Sequence, residues 1–250
     1  MTGELLVDAP ARRVADDRAE PTPAAALGAV ERGEMFDLLA THFDGVSEVD
    51  FARDLAEKDW VLRILRGGRL AGFTTLQVYA TRRGGRRLNV IYSGDTIMAP
   101  EAWGAPLLAR GWISLVRALQ QRRAREPWYW LLLSSGFRTY RFLPVFWREF
   151  CPRRDIEPTA GQAALLASLA RERFGQLFDA STGVVRFPHP QRLRPHLAAI
   201  PDGRSLCPDV RFFLQRYPGH VAGDELVCLT ELGDANLTSA GRRMIRGATP

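Results

Sequence analysis

The fold is decided by residues 60–98, which read WVLRILRGGRLAGFTTLQVYATRRGGRRLNVIYSGDTIM. Paired glycines, Gly67-Gly68 and Gly84-Gly85, separate three runs that are rich in apolar and β-branched residues. Such pairs are typical of hairpin turns, because a positive φ angle costs glycine almost nothing. The segment therefore predicts three antiparallel strands, at Trp60–Leu65, Leu70–Tyr79 and Leu88–Met98.

The residues that follow predict a loop, a helix, a buried strand and an aromatic-rich helix. Residues 99–104 have no consistent period, whereas apolar residues recur at the spacing of one helix face from Leu108 to Leu119. Trp128–Leu133 is an unbroken apolar run, which favours a strand that is covered on both faces in the middle of a sheet. Ser134-Ser-Gly136 ends this run and precedes the aromatic-rich helix.

Two helices are expected ahead of the three strands. They span Glu34–His42 and Glu48–Glu57, and Ser47 is the expected N-cap of the second, which has acidic residues in its first turn. Residues 1–28 are rich in Ala, Pro, Arg and Asp without any period. This composition predicts a flexible N-terminal tail.

A C-terminal extension follows the aromatic-rich segment. Thr159 and Gln162 have capping-box spacing and predict a helix that reaches about Phe178. Residues 181–218 are dominated by proline and arginine and predict mostly loop, a strand is expected at Asp224–Glu231, and the last residues are expected to be frayed. The chain is accordingly divided into a tail, 1–28, a core domain, 29–152, and the extension, 153–250.

The charge of the chain leaves several classes of partner open. The formal net charge is +6, and Lys58 is the only lysine, so almost all of the positive charge is arginine. This charge is compatible with nucleic acid, with a phosphorylated cofactor or with an acidic protein surface. Because arginine and aromatic residues do not alternate along any single element, nucleic acid is the least favoured of these partners.

Cysteine usage and hydropathy bear on the compartment. Cys151, Cys207 and Cys228 are widely separated and lack Cys-x-x-Cys spacing, so neither a disulfide framework nor a zinc site is indicated. No segment approaches about 18 consecutive apolar residues, and the amino terminus lacks a basic region followed by a long apolar stretch. We therefore expect a cytoplasmic protein that neither spans a membrane nor holds a metal.

The order of the predicted elements resembles that of the GNAT superfamily of N-acetyltransferases over roughly residues 30–152. The resemblance implies a mixed α+β (α/β) fold whose mostly antiparallel sheet is flanked by helices and has a V-shaped opening. The opening would lie between the strands Leu88–Met98 and Trp128–Leu133, and the thioester of acyl-CoA would enter it. The C-terminal extension would complete the sheet and the acceptor side.

The resemblance also implies a set of cofactor contacts. In the family, a loop of Gln or Arg, two variable residues, Gly, one variable residue, then Gly or Ala cradles the pyrophosphate of coenzyme A with its N–H groups. The matching segment here is PEAWGAP, residues 100–106, which keeps Gly104 and lacks the leading Gln or Arg and the second glycine or alanine at its expected place. The implied contacts to coenzyme A are Trp103, Gly104 and Ala105 in this loop, and Thr96, Ile97 and Met98 along the pantetheine arm.

The residues that would act on the reactants follow from the same resemblance. Tyr140 is the implied general acid toward the thiolate, and Asp95 is the implied base, although a turn carboxylate is an equally good interpretation of Asp95. Arg138 and Arg141 flank the tyrosine and could meet a phosphate or a carboxylate group. A further loop, Tyr217–Glu225, carries His220 and Asp224, which we interpret as structural or substrate-contacting residues.

The function implied is the transfer of an acyl group to an amine. The donor would be acyl-CoA or an acyl carrier protein, and the acceptor a small molecule or a lipid-like amine. The first alternative is a module that keeps the fold without catalysis and uses the cleft for ligand binding or protein contact. A weaker alternative is a basic protein associated with nucleic acid.

Overall fold

The computed structural model describes residues 17–123, 125–201, 203–204 and 207–246. Its strands are β1 (Arg18–Pro23), β2 (Phe43–Asp44), β3 (Trp60–Arg66), β4 (Arg69–Arg83), β5 (Arg86–Met98), β6 (Trp128–Ser134), β7 (Phe178–Asp179), β8 (Val184–Val185), β9 (Arg192–Leu193) and β10 (Glu225–Glu231). Its α-helices are α1 (Ala29–His42), α2 (Glu48–Ala56), α3 (Leu107–Gln121), α4 (Phe137–Tyr140), α5 (Phe142–Phe146), α6 (Ala160–Phe174), α7 (Pro195–Ala198), α8 (Pro208–Arg216) and α9 (Ser239–Arg246).

One mixed sheet organises these elements. Eight strands follow each other in the order β1-β3-β4-β5-β6-β10-β8-β7, while β2 and β9 form a separate pair. The β5–β6 pair is parallel, and all the other neighbours in the large sheet are antiparallel. The extension therefore completes the sheet beyond β6, and the predicted fold class is confirmed.

The local signals in the sequence account for most of the core domain. The glycine pairs form the two hairpin turns, with positive φ angles of 57° and 78° at Gly67 and Gly68 and of 54° and 78° at Gly84 and Gly85. The Ser47 hydroxyl accepts a hydrogen bond from the Asp50 N–H at 3.4 Å and thus caps α2 as expected. The predicted strand at Asp224–Glu231 is confirmed as β10.

The prediction of a tail over residues 1–28 was wrong for its last third. Arg18–Pro23 forms β1, which pairs antiparallel with β3 from Arg18↔Leu65 to Pro23↔Trp60, and Ala24–Ala26 forms a 3-10 helix. Proline is tolerated in β1 because the strand lies at the edge of the sheet, where a missing N–H breaks no ladder. Residues 1–16 lie outside the described residues.

The extension contains more structure than the sequence predicted. Residues 181–218 include the helix α8, which buries Val210 and Phe213, and Ser239–Arg246 form α9. The last four residues, 247–250, which were expected to be frayed, lie outside the described residues. The aromatic-rich segment, predicted as one helix, is two short ones, α4 and α5, and α6 ends at Phe174 rather than Phe178. Apolar residues in α8 are interrupted by charged ones, so the helical period was masked by Pro208 and the arginines around it.

Helices cover both faces of the sheet. On one face, α3 and the segment after α5 bring three tryptophans together, with ring centroids 4.1 Å apart for Trp112 and Trp130 and 5.0 Å apart for Trp130 and Trp147. On the other face, Leu169 of α6 shares a buried cluster with Leu131 of β6. Aromatic side chains each bury roughly 150–250 Å², so the tryptophan cluster is a main anchor of β6.

The parallel β5–β6 pair parts half-way along β5. Its register runs from Asn89↔Trp128 to Ser93↔Leu132 and stops there. On the other side of β5, Thr74 pairs with Thr96 and Leu76 with Ser93, so that Thr75 alone faces the two residues Gly94 and Asp95. Such a β-bulge bends its strand and increases the local twist. β5 consequently diverges from β6 beyond Ser93, which is the V-shaped opening that the resemblance implies.

None of the helices in the described ranges has both the length and the apolar character needed to cross a membrane.

The contact between α3 and β1 gives a prediction of stability. A β-carbon on Gly111 would lie 2.5 Å from Cβ of Ala19, whereas one on Gly33, within α1, would have no atom within 4 Å. We expect Gly111→Ala to lower the free energy of unfolding by about 1–3 kcal/mol through overpacking. The control, Gly33→Ala, is expected to raise it by about 0.5–1 kcal/mol.

Urea denaturation of both variants and the wild type checks this pair. Equal stabilities for Gly111→Ala and the wild type would contradict the close packing of α3 on the first strand.

Candidate active site

The divergence of β5 from β6 opens into a cavity of about 390 Å³. Gly94–Met98 of β5 form one wall. The rest of the lining includes Ala102–Ala105, in the loop before α3, and Ser135–Thr139, which follow β6. The extension covers the cavity with five residues, Gln191, Leu193, Leu197, Pro201 and Arg204. Glu225 closes the cavity beside β6.

Most of the sequence-predicted site residues line this one cavity. They are Asp95, Thr96, Ile97, Met98, Trp103, Gly104, Ala105, Arg138 and Arg141. They are close because β5, the loop before α3 and the start of α4 all meet where the parallel pair parts. Their roles in binding or catalysis stay predictions.

Tyr140 does not line the cavity. Its side chain is fully buried, and its ring packs against Phe150, Phe212 and Phe213 at centroid distances of 5.6–6.2 Å. Its hydroxyl donates a hydrogen bond to the Pro152 carbonyl oxygen at 3.1 Å, and burial raises the pKa of the phenol well above its usual value. The geometry therefore contradicts the expectation that Tyr140 is the general acid.

His220 and Asp224 also lie outside the cavity lining. The His220 ring packs against Phe213 and Tyr217 at centroid distances of 5.9 and 6.0 Å, within the 3-10 helix Pro218–Ala222. Asp224 forms an ion pair with Arg186, whose Nε lies 3.4 Å from Oδ2 of Asp224. Of the two interpretations left open for this loop, the contacts favour the structural one.

Asp95 meets the cavity from the bulge of β5. The pKa of its carboxyl is raised from 3.8 to about 7, first by burial and then by the negative charge of Asp54, while the nearby Lys58 opposes the rise. A carboxyl with a pKa near neutrality is suited to accept a proton at physiological pH.

Glu225, which sequence reasoning missed, is a second carboxyl on the same cavity. Its pKa is raised from 4.5 to about 8, first by burial and then by the negative charges of Asp95 and Asp54, while a hydrogen bond with Ser135 opposes the rise. Glu225 is the first residue of β10, and the next residue, Leu226, pairs with Ser134 at the end of β6. The sequence signal that could have identified Glu225 is an acidic residue at the start of a strand that pairs with the buried central strand.

Basic groups and an open loop form the opposite part of the cavity lining. The Arg138 guanidinium stacks on Trp103, 3.9 Å from the ring centroid, and donates a hydrogen bond to the Leu197 carbonyl oxygen at 2.5 Å. Desolvation and the neighbouring Arg204 lower the pKa of Arg138. Gly104 has a φ angle of +86° and no atom near the position of a β-carbon, which leaves room for a ligand beside its backbone.

His42 is another lining residue that the sequence did not single out. Its Nε2 donates to the Met98 carbonyl oxygen at 3.0 Å, and Nε1 of Trp103 donates to the same oxygen at 2.8 Å. These two bonds tie the free end of β5 to α1 and to the loop before α3. The wall of the cavity is thereby held in place.

Within the described part of the chain, no three His, Cys, Asp or Glu residues are grouped so that they could hold a metal ion.

A parallel pair of central strands that parts beside the start of a helix is the arrangement implied by the resemblance to acyltransferases. The strand order and the opening between β5 and β6 agree with the fold that the resemblance to the GNAT superfamily implies. No protein-family model and no curated protein matches the sequence.

Several solved structures are similar to the chain. They include a probable N-acyltransferase from Enterococcus faecalis V583, with 17% identity over 53% of this chain and 33% of that chain and a TM-score of 0.41. A GCN5-related N-acetyltransferase from Anabaena variabilis has 16% identity over 50% and 31%, with a TM-score of 0.39. An acetyltransferase from Trypanosoma brucei has 18% identity over 56% and 99%, with a TM-score of 0.39. The chain thus spans about a third of the length of the first two, and TM-scores below 0.5 carry no further conclusion.

The placement of Tyr140 gives a prediction with a matched control. Tyr140→Phe removes the hydrogen bond to Pro152, so we expect a loss of about 0.5–1.5 kcal/mol in the free energy of unfolding. The Tyr79 hydroxyl is buried without a hydrogen-bond partner among the described residues, so Tyr79→Phe should cost nothing or stabilise the protein. Urea denaturation measures both, and equal effects of the two substitutions would contradict the assigned bond.

Proposed function

We propose that the protein is an acyltransferase that moves an acyl group from a coenzyme A or carrier-protein thioester to an amine. The observation that carries this proposal is the parting of β5 from β6 at Ser93, which opens a cavity with an acidic group at the bulge and basic groups near the start of α3. A thioester arm needs such an opening, because its reactive carbon must lie inside the protein while its phosphates stay near cationic or N–H groups.

The donor would lie along the free edge of β5. Gly94–Met98 lie beyond the stretch that pairs with β6, so this edge can hydrogen-bond an extended pantetheine arm as a neighbouring strand would. A backbone N–H on this edge would also stabilise the thioester oxygen as negative charge develops. Trp103–Ala105 and the guanidinium groups of Arg138 and Arg141 would meet the phosphate end. These groups fit coenzyme A and a phosphopantetheinyl carrier protein equally well.

Asp95 is the proposed base. Acyl transfer to an amine requires removal of a proton from nitrogen, directly or through water, and the raised pKa of Asp95 matches that task. The acceptor would approach from the side that the extension covers, between Glu225 and residues 191–204. Attack of the amine on the thioester carbon requires no covalent intermediate with the protein.

The apolar part of the lining suits an acyl chain longer than acetyl. Leu108, Leu133, Phe137, Phe142 and Leu197 contribute to it. Because burial of apolar carbon is worth roughly 0.8 kcal/mol per CH₂, each methylene that the cavity accepts should strengthen binding of the donor.

The base assignment predicts the effect of a single substitution. Asp95→Asn keeps the size of the side chain and removes its basicity, so we expect thiol release from acyl-CoA with a panel of primary amines to fall by about 10²–10⁴-fold. The control is Tyr140→Phe, because the Tyr140 hydroxyl lies outside the cavity. Its rate per folded molecule should stay within about threefold of the wild-type rate.

Calorimetry with coenzyme A separates this proposal from a non-catalytic module. We expect binding to the wild type and to Asp95→Asn alike, because the substitution leaves the backbone groups of the donor edge of β5 unchanged. Absence of binding in any acyl form, together with no reaction with carrier-protein thioesters, would contradict the proposed donor site.

A series of acyl-CoA thioesters tests the acyl pocket. We expect kcat/KM to rise with chain length from acetyl until the apolar lining is filled, and then to fall. Thiol release measured with a chromogenic disulfide gives the rates. A strict preference for acetyl would contradict the longer-chain pocket while leaving acyl transfer intact.

A further inference from the structure

We propose that Glu225 is the proton donor to the departing sulfur and that the buried ammonium group of Lys58 keeps Asp95, rather than Glu225, as the ionised carboxyl. This inference rests on the proposed acyl transfer and assigns its second proton transfer. Since Tyr140 faces the core, that step is left without the donor that the sequence suggested.

The two carboxyl groups share the cavity because of the sheet order. β5 and β10 flank β6 on opposite sides, and β6 ends at Ser134. Side chains from β5 and from β10 can therefore both enter the space beyond the end of β6. Asp95 and Glu225 both line the resulting space. The negative charge of Asp95 raises the pKa of Glu225, so ionisation of the first carboxyl group opposes ionisation of the second.

Lys58 makes this pair asymmetric. Its side chain is fully shielded from solvent, and Nζ lies 2.5 Å from Oδ1 of Asp54 and donates to the Asp54 carbonyl oxygen at 3.1 Å. The same side chain passes beside Gly94, where a β-carbon would lie 3.6 Å from Lys58 Cε. The cation is therefore next to the bulge that carries Asp95.

Other charged and titratable groups lie on both sides of β5. Arg138, Arg141, Arg204 and His42 line the same cavity, and a second group lies behind the strand. Lys58 Nζ is 5.5 Å from the centroid of the Tyr92 ring, and the Arg173 guanidinium is 4.9 Å from the same ring. Arg173 is in turn paired with Glu57 at 2.6 Å. The charged groups that shift the pKa of Asp95 are Asp54 and Lys58. Those that shift the pKa of Glu225 are Asp95 and Asp54, together with a hydrogen bond to Ser135, and no cation is among them.

The pKa shifts agree with this assignment. Burial raises the pKa of both carboxyl groups, but Lys58 lowers that of Asp95 and no cation does so for Glu225. Asp95 therefore loses its proton first as the pH rises, and Glu225 keeps its proton up to about pH 8. The values belong to the interacting pair rather than to isolated groups.

The two proton transfers balance the reaction. The neutral amine attacks the thioester carbon, a C–N bond forms, and Asp95 carboxylate takes one proton from the nitrogen. The C–S bond then breaks, its electron pair goes to sulfur, and Glu225 gives its proton to the thiolate. Transfer of the proton from Asp95 to Glu225 restores the starting state, so that amide and free thiol are the products.

Changing the leaving group tests the role of Glu225. With acetyl-CoA and a primary amine such as n-butylamine, Glu225→Gln should slow turnover by about 10²–10³-fold and remove the fall in rate above about pH 8. With S-(4-nitrophenyl) thioacetate, whose thiolate leaves without a proton, the same substitution should slow turnover less than about tenfold.

The neighbouring Asp224→Asn is the matched control, since Asp224 is paired with Arg186 and does not line the cavity. It should behave as the wild type with both donors. Equal losses in Glu225→Gln with both donors, or a rise in the KM of the amine alone, would overturn the proton-donor role in favour of acceptor binding. If the wild-type protein releases no thiol from any donor, that result contradicts the proposed acyl transfer itself and not only the role of Glu225.

Carboxyl-¹³C NMR titration tests the role of Lys58 without any turnover. We expect Lys58→Met to raise the apparent pKa of Asp95 and to remove the separation between the two titrations, whereas Lys58→Arg should keep both close to wild type. Asp95→Asn should lower the apparent pKa of Glu225, because a neighbouring negative charge is removed. An Asp95 titration that is the same in the wild type and Lys58→Met would overturn the assignment.

Discussion

One irregularity in strand pairing determines the arrangement of the whole site. Thr75 of β4 faces two residues of β5, Gly94 and Asp95, so β5 bends at that point and its hydrogen bonds with β6 end at Ser93. The bend has three consequences. It frees the backbone edge of the last residues of β5, it directs the cavity to the end of β6, and it places Asp95 at the wall. Without the bulge, β5 could continue its pairing with the last two residues of β6, Leu133 and Ser134.

The opening is stable because β5 is held on both sides of the bend. Before the bend, Trp130 Nε1 donates to the Ser93 hydroxyl at 3.0 Å, within the tryptophan cluster that packs under the paired half. After it, His42 and Trp103 both donate to the Met98 carbonyl oxygen. β5 is thus anchored at both ends of the stretch that does not pair with β6, which keeps the backbone groups on that edge oriented for a ligand. The cavity is therefore a preformed feature of the fold rather than one that a ligand must create.

The sequence predicted the fold well where the signal was local, and the site only in part. Glycine pairs specify hairpins by their own conformational freedom, and an uninterrupted apolar run specifies a central strand, so the positions of β3 to β6 follow directly. Tyr140 was misplaced because its surroundings come from Phe212 and Phe213 of α8, a helix that the proline- and arginine-rich sequence concealed. Because α8 was not predicted, the burial of Tyr140 in the core was not predicted either, and the residue was interpreted as catalytic. Asp224 was noticed and Glu225 was not, although successive residues of a strand point to opposite sides and only Glu225 lines the cavity. No local pattern distinguishes the two.

The lone lysine has a chemical consequence for a protein that would handle thioesters. Activated acyl groups react without catalysis with accessible side-chain amines, and lysine is the only residue type that supplies them. Here that amine is sequestered in a pair with Asp54, and the other permanently charged cationic side chains are arginine guanidinium groups, which stay protonated and do not attack carbonyl carbon. The folded chain is in this respect protected from acylating itself. Any modification of Lys58 by an amine-selective reagent would report a transient exposure of the interior next to the bulge.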